Sequence, residues 1–246
     1  MDRHADLIRL YEALGSLEAI LGGKRTLAES DGRMIWPVRG VYFFFEPGEA
    51  RADTGVGPRV VRVGTHALKA SSRSSLWLRL SQHRGITSTG GGNHRGSIFR
   101  LLLGTAIRKR DGLIEPASWG VGSDPGAAAR SLGLTREQVL IAERPLEIAV
   151  TEHIRRMPFL WLSVGDVAGP TSDRGLIERK SIALLSNYGK PAINPSSPDW
   201  LGKDCNRERV RLSGLWNNNH VDERFDPSFL EVTERHVERM ARKDAE

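Results

Sequence analysis

Residues 40–66 read GVYFFFEPGEARADTGVGPRVVRVGTH, and this stretch decides the fold. Val41-Tyr42-Phe43-Phe44-Phe45 is β-branched and aromatic throughout and is closed by Pro47-Gly48, the pattern of a buried strand. A polar, Gly-rich loop then runs to Pro58, and Arg59-Val60-Val61-Arg62-Val63 reads as the next strand. Two strands joined by so short a loop pair antiparallel.

Upstream, Leu7, Leu10, Tyr11, Leu14, Leu17 and Leu21 recur at helical spacing until Gly22-Gly23, and residues 24–39 read as loop. Downstream, Leu76, Trp77 and Leu80 mark a helix with Ser74 or Ser75 as N-cap. Residues 85–96, with Gly90-Gly91-Gly92, read as a flexible loop, and Ile98 to Ile107 is apolar enough for a helix or a strand. Thr135 and Gln138 have capping-box spacing, and Pro145 is placed as the N1 proline of a helix restarting there and running to about Arg156. Phe159 to Val164 is a third strand. A helix capped by Ser172 or Asp173 reaches Leu185, and a last one starts at Asp226-Pro227 with Phe229, Leu230, Thr233, Val237 and Met240 on one stripe. This order predicts an α+β domain: a small, mainly antiparallel three-stranded sheet flanked by helices, with a helical insertion and N- and C-terminal helices.

The 246 residues are 39% hydrophobic and 27% charged, which excludes a disordered or fibrous chain. Cys205 is the single cysteine, so no disulfide framework or four-cysteine metal site forms within one chain. No apolar run is long enough for a transmembrane helix and the N-terminus does not read as a signal peptide, so a cytoplasmic protein without a membrane partner is expected. The formal charge of +6 is unevenly spread. Residues 59–110 hold eleven Lys and Arg and no Asp or Glu, while the rest of the chain is net acidic. Such a block predicts a positive surface for a polyanion.

Gly40-Val41-Tyr42 and Arg62-Val63-Gly64 sit on the two strands, and Arg79 and His83 lie four residues apart on one face of the following helix. Glu178 falls on the helix after the third strand, and Pro191-Ala192-Ile193-Asn194 follows it. In this order and on these elements, the residues resemble the GIY-YIG nuclease family, from about 38 to 195 with an insertion at about 85–157. The resemblance implies a catalytic domain over 38–195, an N-terminal helix and lead-in over 1–37, and a C-terminal extension over 196–246.

It also implies a metal-dependent endonuclease acting on DNA phosphodiesters. Glu178 would hold Mg²⁺ or Mn²⁺, Arg79 would clamp the phosphate, and Tyr42 would activate water. His83 or His66 would carry protons, and Asn194 would tie the metal helix to the site. The second tyrosine of the pattern is replaced by Arg62, which leaves a catalytically impaired nucleic-acid-binding scaffold as the alternative. Arg73, Arg84, Asn93, His94, Arg95 and Arg100, from the basic block, are the candidate nucleic-acid contacts. RNA as substrate, and monomer or homodimer, stay open. Trp216-Asn217-Asn218-Asn219-His220 shows no metal-ligand spacing and reads as a packed Trp and a polar turn.

Overall fold

The computed structural model describes residues 2–69, 71–114, 116–169 and 171–244. Helix α1 (Arg3–Ile20) is capped by Asp2, whose carboxylate accepts from the His4 and Ala5 amides. The chain continues through β1 (Arg25–Thr26), β2 (Gly40–Ala50), β3 (Pro58–Thr65) and α2 (Leu76–Arg84), then α3 (Ile98–Asp111), α4 (Pro125–Leu132) and α5 (Arg136–Arg156). It closes with β4 (Pro158–Ser163), α6 (Asp173–Leu185), α7 (Glu208–Ser213) and α8 (Ser228–Asp244). The sheet order is β1-β4-β2-β3 with every neighbour antiparallel.

The sheet therefore has four strands among the described residues, not three. The extra one, β1, is two residues long and pairs Arg25 with Phe159 and Thr26 with Pro158. Two residues carry no period, so residues 24–39 read as loop. Strand β2 also runs on through Pro47-Gly48 to Ala50, with its register shifted beyond Phe44 and again before Ala50.

The alternation of β2 sorts the core into two layers. Val41, Phe43 and Phe45 pack with α1, α6 and α8, whereas Tyr42 and Phe44 pack with α2, α3 and α5. Simple alternation puts Arg62 on the face of Val60 and Gly64, but the register steps from Phe44↔Arg62 to Phe45↔Val60. This bulge at Val61 turns Val60 into the α1 layer and leaves Arg62 over the Phe99 ring of the other.

The capping box at Thr135 and Gln138 opens a single helix, α5, with Pro145 inside it rather than at a restart. Pro145 is exposed, while Val139, Leu146, Val150 and Ile154 anchor both halves to the core. A proline in mid-helix costs about 3 kcal/mol, which burial of this length of helix offsets. Residues 98–111 are helical, and their N-cap Ser97 accepts from the Arg100 amide.

A candidate active site at the open edge of the sheet

Strand β3 is an edge strand, and its outward polar groups are met one by one. The Val61 carbonyl accepts from the Trp216 amide at 2.7 Å. The Asn217 carboxamide accepts from the Val63 N–H at 3.1 Å and donates to the Val63 carbonyl at 2.8 Å. Two residues further on, the Thr65 N–H donates to Glu178 Oε1 at 3.1 Å. The polar turn after Trp216 thus closes the edge as a surrogate strand and leaves its last donor to the carboxylate on α6.

The two tripeptide glycines are set by close approach. A Cβ at Gly64 would overlap the Tyr42 hydroxyl, and one at Gly40 would overlap the Leu162 carbonyl of β4. Tyr42 is fully buried, and its hydroxyl lies 2.8 Å from His83 Nε2. His83 Nδ1 in turn lies 2.8 Å from Ser97 Oγ. Rings of Phe44 and Phe99 meet the imidazole edge-on. Burial first, and then Arg79, Arg62 and Arg100, hold His83 well below the ordinary imidazole range, so it is neutral.

Arg62 is buried under the same layer, donates from Nη1 to the Trp216 carbonyl at 2.5 Å, and lies 4.7 Å from the Phe99 centroid. Burial pulls its proton affinity down, and Tyr42 and Glu178 counter that as hydrogen-bonding and charged neighbours. Arg79, half-buried on α2, donates from Nη1 to the Gly96 carbonyl at 3.0 Å and to Gln82 Oε1 at 2.9 Å. Glu178 is half-buried and lines a cleft of about 620 Å³ with Lys69, Arg179 and His220. Burial raises its proton affinity against the opposing pull of Arg62, His220, the Thr65 N–H and Arg79. Tyr42, Arg62, Arg79, His83 and Glu178 thus form one electrostatic unit around the start of β2 and the end of β3.

His66 borders this unit. Its Nδ1 donates to the Ser74 carbonyl at 3.1 Å, and its Nε2 is buried without a partner. Burial, together with Arg174 and Arg79, lowers it to about 4, so the ring is neutral and weakly basic.

Other expected site residues lie elsewhere. Asn194 sits at the far end of β2, about 30 Å along the strand from Tyr42 at ~3.3 Å per residue. There its Oδ1 accepts from the Ala52, Asp53 and Thr54 amides and its Nδ2 donates to Thr54 Oγ1, so it clamps the β2–β3 turn rather than tying α6 to the site. Among the expected nucleic-acid contacts, Arg73 and Asn93 are exposed, and Arg84 is half-buried over the Trp77 ring.

His94, Arg95 and Arg100 are structural instead. His94 is buried between Glu147 and Trp119, the Arg95 guanidinium is paired with Glu143, and Arg100 is paired with Glu147. Their carboxylates come from α5, beyond the acid-free stretch, so local charge counting could not see the pairing. His220, which pattern reading did not single out, lines the same cleft as Glu178, on a turn whose Trp216 and Asn217 are hydrogen-bonded to β3.

Among the described residues no three His, Cys, Asp or Glu side chains form a ready-made metal cage. A divalent cation here would be held by Glu178 with waters and substrate oxygens, a donor set that suits Mg²⁺. A half-buried carboxylate with one N–H donor and raised proton affinity fits that group, because a cation supplies the charge that burial withholds. No helix is long and apolar enough to cross a membrane among the described residues. A family model described as the GIY-YIG domain matches residues 1–243. No curated protein matches the chain, and no solved structure matches it.

Proposed function

The chain belongs to the GIY-YIG domain family and so carries a nuclease-type function, and from the grouping of Tyr42, Arg62, Arg79 and Glu178 we propose that it is a metal-dependent endonuclease hydrolysing DNA phosphodiester bonds. The observation that carries this reading is the geometry of the β3 edge: Glu178 Oε1 accepts from the Thr65 N–H at 3.1 Å, directly after Gly64, whose Cα faces the Tyr42 hydroxyl, with Arg79 and His83 on the helix that follows.

The bound Mg²⁺ or Mn²⁺ at Glu178 would supply Lewis-acid stabilisation of the leaving oxygen. Arg79 has only neutral acceptors for its guanidinium and can exchange them for phosphate oxygens, neutralising charge that grows in the transition state. Lys69 and Arg179 in the cleft wall would hold the flanking phosphodiester. Tyr42 would orient the attacking water through its hydroxyl oxygen, with Arg62 in place of a second phenol supplying positive charge beside it.

Neutral His83 accepts from the Tyr42 hydroxyl through Nε2, and its Nδ1 donates to Ser97 Oγ. His83 is thereby a positioning residue for Tyr42. The chain of hydrogen bonds ends at buried Ser97, so no proton leaves by that route. One such site cuts one strand, and double-strand cleavage would take two visits or a homodimer.

Supercoiled plasmid incubated with the protein and Mg²⁺ or Mn²⁺ should be nicked, with none in EDTA. Glu178→Gln should lower the rate by roughly 10³-fold or more, a loss of several kcal/mol of charge stabilisation, with its circular dichroism unchanged. Nicking by folded Glu178→Gln at the wild-type rate would remove the assignment. Wild-type protein that retards DNA without nicking it would point to the binding scaffold with Arg62 as its lesion.

A further inference from the structure

The turn between α7 and α8 brings a nitrogen donor to the Glu178 cleft. Trp216 and Asn217 are fixed to β3, and three residues later His220 holds a left-handed backbone with φ of 66°. A non-glycine residue adopts this backbone seldom and keeps it when its surroundings demand it. The imidazole is oriented as well: Nδ1 lies 2.6 Å from Glu223 Oε1, whose other oxygen is 4.0 Å from Lys180 Nζ. A carboxylate only accepts, so Nδ1 is the nitrogen that donates, and Nε2 is the one left to ligate a cation. Histidines that bind metals are held this way, with the remote ring nitrogen donating to a carboxylate or carbonyl. His220 and Glu178 line the same cleft.

Resting on the reading of Glu178 as the cation ligand, we propose that His220 Nε2 is a second protein ligand, giving a carboxylate–imidazole site that prefers Mn²⁺ to Mg²⁺. Mg²⁺ is bound through oxygen and surrenders water reluctantly, whereas imidazole is a donor for later first-row ions, and Mn²⁺ accepts both. Glu223 positions the ring. The donor pair joins α6 to a turn some forty residues further along the chain, so no local motif announces it.

The test is metal binding by the full chain without DNA. Free Mn²⁺ is read by electron paramagnetic resonance and Mg²⁺ by competition, for wild type, His220→Ala, His220→Gly and Glu178→Gln. The glycine variant keeps the left-handed backbone without strain, so it folds even if the alanine variant does not. Loss of an outer partner of a metal histidine already costs about 10–100-fold, so both His220 variants should bind Mn²⁺ at least about tenfold more weakly and Mg²⁺ within about threefold of wild type. Folded His220→Gly that binds Mn²⁺ as wild type does, while Glu178→Gln has lost it, overturns this inference and leaves the nuclease site standing. Glu178→Gln that binds both ions normally overturns the site itself.

Discussion

Arg62 and Arg79 come from the same acid-free stretch as Arg95 and Arg100, yet the fold uses the two pairs in opposite ways. In the insertion, Arg95 meets Glu143 and Arg100 meets Glu147, and all four side chains are buried. At the edge of β3, Arg62 and Arg79 are given carbonyl and amide acceptors instead, with Glu178 close enough to feel both. A carboxylate partner turns a cation into a structural bolt. Neutral acceptors leave the charge of half-buried Arg79 available to a phosphate and that of buried Arg62 to Tyr42, at some cost in stability. The basic block is therefore part scaffold and part site, and sequence position does not separate the two.

The sharpest way to break this contrast is to remove one arginine from each region. Arg100→Ala strands Glu147 in the interior and should destabilise the protein by about 3–5 kcal/mol in urea unfolding. Arg79→Ala should change stability by no more than about 0.5 kcal/mol. It should cut cleavage by about 10²–10³-fold while DNA affinity measured in Ca²⁺ hardly moves. Equal losses of stability in the two variants would erase the distinction, and equal losses of affinity and turnover would make Arg79 a binding residue only.

A smaller effect tests how rigidly the edge region is built. Gly64→Ala drives a methyl group into the Tyr42 hydroxyl, and overpacking of this kind costs about 1–3 kcal/mol. Cleavage should fall beyond what unfolding explains, because Tyr42 must turn away from His83. A variant with wild-type turnover would show that Tyr42 has slack.

The smallest effect is the pH dependence, which has opposite sign in the two regions. Burial pushes Glu147 up, but His94 and Arg100 outweigh it and its proton affinity is depressed. A depressed carboxylate contributes stability above its unfolded pKa of about 4.3 and loses it as pH falls through the folded value. Glu178 is raised, so in EDTA its charge destabilises the fold at neutral pH, and that cost is relieved as pH falls through its folded value. Thermal unfolding should show Glu147→Gln less stable than wild type at pH 7 with a flatter acid limb. Glu178→Gln in EDTA should be more stable at pH 7 and converge with wild type in acid. Matching slopes for the two variants would contradict the contrast.

The legible parts of the fold are those written in local periods and caps. The apolar run at Val41 to Phe45, the stripe of α1, the capping box of α5 and Ser172 ahead of α6 each specify an element within a few residues. The tripeptides, Arg79, His83 and Glu178 could be read because each sits at a fixed place on such an element. What misled was range. Pro145 looks like a helix start because the burial that carries the helix through it comes from packing on distant elements, and Asn194 looks like a site residue because its three amide partners are some 140 positions away.

The sequence by itself determined the long elements, the positions of the two glycines and the candidates for the reacting groups, since these follow from side-chain periodicity and residue chemistry. Only the tertiary structure decided which cations meet carboxylates, where the edge of β3 ends, and that His220 lines the cleft of Glu178. Arg100 finds Glu147 at a separation of 47 residues and Val63 finds Asn217 at 154. Contacts at such distances are set by how helices and turns pack on the sheet, and electrostatic pairing falls off with distance in space, not along the chain.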